Sequence, residues 1–209
     1  MKEKFSINLI LKEIFDKIIS FVALLVLLPI FLIAAILIKI DSKGPVFFLQ
    51  ERVGKDGKIF KVFKFRTMIV EAPEKTKGKY IEKSNPYVTR VGKFLRRSGI
   101  DELPQLINVL KGEMSLVGPR PTLPYQVAKY NDYQRKRLLM KPGITSWALI
   151  HGRNKLTWPE KIKLDVWYAE HWNFWLDIKI LFKTVWVVAS GEGLYADVET
   201  DEIVRNEEK

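Results

Sequence analysis

From Ile18 to Ile38 the chain reads IISFVALLVLLPIFLIAAILI, without a single charge. A straight helix of that length extends about 30 Å, enough to cross the hydrocarbon of a bilayer. A membrane helix is favoured over a cleaved signal peptide, because the run is long, Lys39 follows it directly, and it lacks an A-x-A type exit. Pro29 lies near the middle, where it removes one backbone hydrogen bond and presses its ring on the Leu25 carbonyl, so a kink is predicted there. Lys2, Lys4, Lys12 and Lys17 precede the run, and Lys39, Lys43, Arg52 and Lys55 follow it. Basic residues prefer the cytoplasmic side, and both flanks therefore point to one side. A re-entrant hairpin broken at Pro29 satisfies both flanks, a kinked spanning helix satisfies the length, and the residues alone leave both open.

With 209 residues the remainder suffices for one core of ordinary size. The organisation expected is a membrane anchor over 1–40, a cytoplasmic domain over 41–190 and an acidic tail over 191–209. Absence of cysteine excludes disulfides and thiolate metal sites, and two histidines, His151 and His171, are too few for an imidazole-rich centre. Any metal is then hard and oxygen-bound. The net charge of +11 calls for an anionic partner. Six tryptophans and twelve phenylalanines beside that charge favour a membrane interface over nucleic acid.

GPVFFLQERVGKDGKIFKVFKFRTM predicts two strands around the turn Gly54–Gly57, and the polar stretch 71–86 predicts a loop. Residues 101–112 predict a helix, with Leu103, Leu106, Ile107 and Leu110 on one face and Pro104 in its first turn. AKYNDYQRKRLLM predicts another helix, and PGITSWALIHGRN a strand or loop. In HWNFWLDIKILFKTVWVV, helical spacing places Trp175, Ile178, Phe182, Val185 and Trp186 on one side, which suits a core face and an interfacial face equally.

The adjacent acids of LRRSGIDELPQLINVL, Asp101 and Glu102, have an ordinary reading as residues that stabilise a helix N-terminus. Their neighbourhood adds a chemical one. Arg96 and Arg97 precede them, Arg120 and Arg153 lie in Pro- or Gly-containing loops, and guanidinium forks match phosphate oxygens. Two adjacent carboxylates repel, a divalent cation such as Mg²⁺ relieves that repulsion, and the second acid can then act as a nucleophile toward phosphorus.

Together GPVFFLQERVG, FKFRTM, LRRSGIDELPQLINVLKGEMSLVGPRP, KPGITSWALIHGRN and WYAEHWNFWLDIKIL resemble the bacterial sugar transferases, the monotopic polyprenyl-phosphate phosphoglycosyltransferases that start glycoconjugate assembly. The match extends from about the membrane segment to Lys183 and is to the minimal form, a catalytic core behind one membrane helix. The resemblance implies an α+β fold: a re-entrant, cytoplasm-facing helix hairpin at Pro29, a compact helix-rich core with a small β-hairpin, and interfacial amphipathic helices. Many relatives carry serine before that proline, where this chain has Leu28.

The resemblance further implies that Asp101 is the nucleophile and Glu102 the magnesium-associated acid, that Arg96 helps hold the diphosphate, that Arg120 of Pro119-Arg120-Pro121 binds the nucleotide sugar, and that Arg153 contacts phosphate. Lys64 and Asp165 carry over as substrate-binding residues, against plain readings as a solvated lysine and a capping aspartate. The function implied is transfer of a sugar 1-phosphate from a UDP-sugar to polyprenyl phosphate at the bacterial inner membrane, with phospholipid as a further partner and no nucleic acid. Two rivals stand beside it. A glycosyltransferase would release UDP instead of UMP, and a membrane-tethered binding protein would hold nucleic acid or acidic lipid in a salt-dependent way.

Overall fold

The computed structural model describes residues 2–72 and 85–190. Most of the predicted loop 71–86 and the whole of the acidic tail lie outside them. Helix α1, Lys2–Asp41, contains Pro29 without ending there. Its inner face repeats at helical spacing: Lys12, Asp16, Ser20, Ala34 and Ile38 are buried, and Leu9, Phe15, Ala23, Leu24, Leu27 and Phe31 pack against the core between them. Its outer face, including Leu11, Ile18, Val22, Leu25, Val26, Ile33, Ile36 and Ile40, is exposed. By length and composition α1 can cross a membrane. Both halves, before and after Pro29, nevertheless pack on the same domain.

The contact before Pro29 is polar and buried. Lys12 Nζ lies 2.5 Å from Asp177 Oδ2 and donates to the Val117 carbonyl at 3.1 Å, while Ser115 Oγ donates to Asp16 at 2.6 Å. Tyr168 OH and Trp172 Nε1 donate to the two oxygens of Asp177, at 2.6 and 3.0 Å. Lys12 is thus a structural cation rather than a free flanking charge, because a buried ammonium needs a paired carboxylate and further acceptors to stay charged. Beyond Pro29 the contact is apolar, Ala34 and Ile38 against Phe65 and Leu95, and ends where Val91 N donates to Asp41 at 2.9 Å. Arg66 donates to the Ser42 and Lys43 carbonyls, fixing the exit from the helix.

Strands β1, Phe47–Val53, and β2, Ile59–Phe65, form the expected antiparallel hairpin, with Phe47 opposite Phe65 and Val53 opposite Ile59. Asp56 and Gly57 in the turn have φ of 55° and 78°, the left-handed region such a reversal uses. Helix α2 spans Arg90–Ser98 and is followed by a 3₁₀ turn, Ile100–Glu102, and α3, Gln105–Leu110. The predicted helix over 101–112 therefore begins later. Hydrogen bonds from Glu102 N to Gly99, Leu103 N to Ile100, Leu106 N to Leu103 and Ile107 N to Pro104 all close tighter i+3 rings, and Pro104 has no N–H to carry an α-helical ladder back through the acids.

Strand β3, Ser115–Val117, pairs in parallel with β4, Gly143–Thr145. Between them α4, Pro124–Ala128, forms in the proline-rich stretch VGPRPTLPYQ, read as too rich in proline for regular structure, and the predicted charged helix over 128–140 is broken into α5, Asp132–Arg135, and a 3₁₀ turn, Lys136–Leu139. Asn131 restarts the chain there: its side chain accepts from Gln134 N while Gln134 accepts from Asn131 N, a capping box that competes with helix continuation. Helices α6, Trp158–His171, and α7, Phe174–Ser190, complete the domain. Leu106, Leu116, Val117, Met140, Ile150, Tyr168, Trp172 and Ile180 form the largest core, onto which α1 packs. Helix α7 buries Asp177 and Ile180 but leaves Trp175, Phe182, Val185 and Trp186 each at least 70% exposed and Ile178 half-buried, so four of the five residues in the stripe read as core or interface face outward. The result is a helix-rich mixed fold with small sheets and one long apolar N-terminal helix.

Candidate active site

Helix α2 ends because Gly99 adopts φ 73°, a left-handed conformation that turns the chain so that Asp101 and Glu102 follow on a short turn rather than at an α-helix start. Neither acid caps α3, whose N-cap is Pro104 without a side-chain bond. Glu102 Oε1 accepts from Lys64 Nζ at 2.8 Å and from Arg120 Nη2 at 2.9 Å. Asp101 forms no hydrogen bond or ion pair among the described residues, although Lys64, Arg96 and Arg120 all act on its charge. The two neighbours are thereby driven apart. Burial, then the Glu102 charge, pushes the Asp101 carboxyl up to about 6 against the pull of those three cations. Burial would raise Glu102 too, but Arg120 and Lys64 outweigh it and hold the group well below the usual carboxylate range.

Arg96 is placed by a close approach. Gly92, one turn earlier on α2, lies so near Thr67 that an added Cβ would meet the Thr67 carbonyl oxygen at 2.1 Å. Thr89 N donates to the same carbonyl at 3.1 Å, and Arg96 Nε donates to Thr67 Oγ1 at 2.8 Å. Gly92→Ala is therefore expected to push α2 off the end of β2, displace Arg96 and lower stability by about 2 kcal/mol. Thermal unfolding checks this, and an unchanged midpoint would refute the packing argument.

Arg120 is held from behind. Arg137, buried, donates to the Arg120 carbonyl at 2.9 Å, to Tyr130 OH at 2.6 Å, and to Asp165. Asp165 is itself buried, and burial raises its carboxyl to about 6 in spite of Arg137. It caps no helix, and it supports the backbone of the Arg120 loop from the interior. The structure thus gathers Lys64, Arg96, Asp101, Glu102 and Arg120 at one place, with Asp165 beneath them. Arg153, in a 3₁₀ turn at φ 54°, lines a cavity of about 230 Å³ with Leu149, Ile150, His151, Gly152 and Val187.

Four residues of this region carry no periodicity or spacing that singles them out: Arg52, Thr67, Arg137 and Lys161. Arg52 and Thr67 do sit inside the stretches QERVG and FRTM, and long-range pairing of β1 and β2 with the α2 and Arg120 segments is what gives them a role.

A hard divalent cation suits the donor set. Asp101 and Glu102 offer adjacent carboxylate oxygens, and Mg²⁺ is commonly held by one or two carboxylates with substrate phosphates completing its shell. Among the described residues there is no group of three or more His, Asp or Glu that would form an all-protein cage.

Residues 7–191 match the family model described as bacterial sugar transferase. The chain is 46% identical over 186 residues to the uncharacterized sugar transferase EpsL of Bacillus subtilis, covering 89% of this chain and 91% of that protein. It is 42% identical over 199 residues to the galactosyl transferase CpsE of Streptococcus agalactiae, 89% of this chain and 44% of the other. Against the UDP-glucose:undecaprenyl-phosphate glucose-1-phosphate transferase of Escherichia coli it is 43% identical over 190 residues, 86% of this chain and 40% of that protein. It thus spans nearly all of the Bacillus relative and less than half of the other two.

Proposed function

This chain belongs to the bacterial sugar transferase family, and on that premise we propose that it transfers a sugar 1-phosphate from a UDP-sugar to undecaprenyl or another polyprenyl phosphate, releasing UMP, as the first membrane step of a glycoconjugate or exopolysaccharide. The observation that carries the reading is the split acid pair: Glu102 is committed to two cations while Asp101, beside it, forms no hydrogen bond or ion pair among the described residues.

Asp101 attacks the β-phosphorus of the donor, the bond from that phosphorus to the bridging oxygen breaks, and UMP departs with the electron pair. An oxygen of the lipid phosphate then attacks the phosphosugar on Asp101, returning the carboxylate. One phosphoanhydride is exchanged for another, so positioning and charge stabilisation supply the catalysis. Arg96, anchored on Thr67, and Arg120, anchored on Arg137, are placed to hold phosphate oxygens. Lys64 and Arg120 keep Glu102 ionised and oriented. A bound Mg²⁺, held by Glu102 and Asp101, would neutralise phosphate charge.

The anchoring of both halves of α1 on one domain, and the basic residues on both flanks, support a re-entrant α1 with the domain on the cytoplasmic face. The outward Trp175, Phe182, Val185 and Trp186 of α7 support an interfacial face beside it, at the depth where a lipid phosphate emerges.

Incubation with a UDP-sugar in the absence of lipid should give UMP and a protein heavier by one phosphosugar, on intact-protein mass spectrometry. Release of UDP would overturn the reading. The attacking carboxylate must be ionised, and Asp101 stands at about 6. Accordingly kcat/KM for the donor should be flat above that pH and fall about tenfold per unit below it. A higher cation concentration should move the inflection down, since positive charge beside the pair favours ionised Asp101. A pH-independent rate between 5 and 8 would contradict this, both limits being about one to two units either side of the inflection.

A further inference from the structure

Two cations beside Arg120 form no ion pair among the described residues. Lys161 lies on α6 one turn before Asp165, half-buried, and its ammonium makes no hydrogen bond or ion pair among the described residues. Burial, then the Arg120 charge, pulls it down to about 8. Among the described residues Arg52, half-buried on β1, donates only to neutral oxygens, Gln50 Oε1 at 2.6 Å and the Pro121 carbonyl at 3.2 Å. Burial and then Arg120 bring it down to about 10. The nearby carboxylates are already engaged, Glu102 by Lys64 and Arg120, Asp165 by Arg137, and Glu160, whose charge also reaches Lys161, by the amide and hydroxyl of Thr157. Cations crowded together with partial desolvation and no anion are unfavourable until an anion joins them.

We propose that Arg52, Arg120 and Lys161 form a single phosphate-monoester subsite, which holds the departing nucleotide phosphate in the first half-reaction and the arriving lipid phosphate in the second. The inference rests on the covalent reading of Asp101. In the first step the Asp101 oxygen bonds to phosphorus as the bridging P–O bond breaks, and the nucleotide leaves as a monoester dianion. In the second, an oxygen of the lipid monoester bonds to the same phosphorus as the acyl-phosphate P–O bond breaks, and the electron pair returns to the carboxylate. Both displacements are in line. The carboxylate occupies one apex each time, and a monoester oxygen the other. One anion seat opposite Asp101 therefore meets both needs in turn, and neither step calls for a proton or a redox partner.

The test uses full-length protein in nanodiscs, with UMP and a short-chain polyprenyl phosphate as probes. Lys161→Met should weaken UMP binding by roughly tenfold to a hundredfold, the scale of one charge-assisted contact. It should raise the KM for the lipid phosphate by a similar factor, leave the thermal midpoint unlowered, and be partly rescued by Lys161→Arg. Lys161→Gln should behave as Met does. UMP should compete with the lipid acceptor in the unsubstituted protein. A loss confined to one probe overturns the shared seat, and no loss with either overturns the subsite. Failure of the covalent reading would show separately, as absence of the phosphosugar adduct on unsubstituted protein, since UMP binding is measured without turnover.

Discussion

Asp101→Asn should abolish turnover while making the folded protein more stable. Removing the nucleophile of a covalent displacement is expected to cost on the order of 10³-fold or more in UMP release, because the amide oxygen is too weak a nucleophile to replace the carboxylate. The stability gain has a separate cause. In the folded state burial and the Glu102 charge raise Asp101 from 3.8 to about 6. Between those values the folded chain holds a proton that the unfolded chain has released, so stability falls as pH rises through that window, and above it the cost of an ionised Asp101 is present in full. The neutral amide escapes that cost. At pH well above the window the variant should gain roughly 1–3 kcal/mol, a few degrees in thermal midpoint, and the gain should vanish toward the acid end of it. UMP release and thermal unfolding at two pH values read both effects. Near-normal turnover would remove Asp101 from the chemistry, and a lower midpoint would mean that its charge is better compensated than the geometry shows.

The same pairing of neighbours explains what the sequence disclosed and what it did not. Local chemistry was legible: the β1–β2 turn from Gly54 to Gly57, the apolar run of α1, and the outward or inward stripe of α7 all follow from residues close together in the chain. The acid pair was also visible, but its surroundings were not. Lys64 and Arg120 lie 38 and 18 residues from Glu102, and only the fold brings them within hydrogen-bond reach. Lys12 read as a flanking charge because nothing near it in sequence announces Asp177, 165 residues away. The start of α3 was misplaced for a local reason: apolar periodicity continues through Leu103, while the choice between 3₁₀ and α hydrogen bonding depends on Gly99 and Pro104, which periodicity does not weigh.

Arg137→Met should be the most destabilising single change near the site, and for a reason that can be separated from its effect on activity. Arg137 is buried between the faces of Tyr130 and Trp158, at 5.7 and 5.4 Å from the ring centroids. It donates to the Asp165 side chain, which the Arg120 backbone N–H also reaches, while Asp165 Oδ1 is buried with no hydrogen-bond partner among the described residues. Deleting the guanidinium strands a buried carboxylate, which typically costs 3–5 kcal/mol. Without Arg137 the Asp165 group, already raised to about 6, must rise further. The folded chain then takes up a proton that the unfolded chain lacks, so the deficit should shrink as the pH is lowered toward the unfolded carboxylate value and be largest at alkaline pH. Arg137→Met with Asp165→Leu removes both charges and should recover most of the stability, since buried pairs are often replaceable by apolar groups of similar volume. It cannot restore the donor to the Arg120 carbonyl. If that contact positions Arg120, the double variant should fold well and still show a raised KM for the UDP-sugar. A double variant with both normal stability and normal kinetics would assign Arg137 to the core alone.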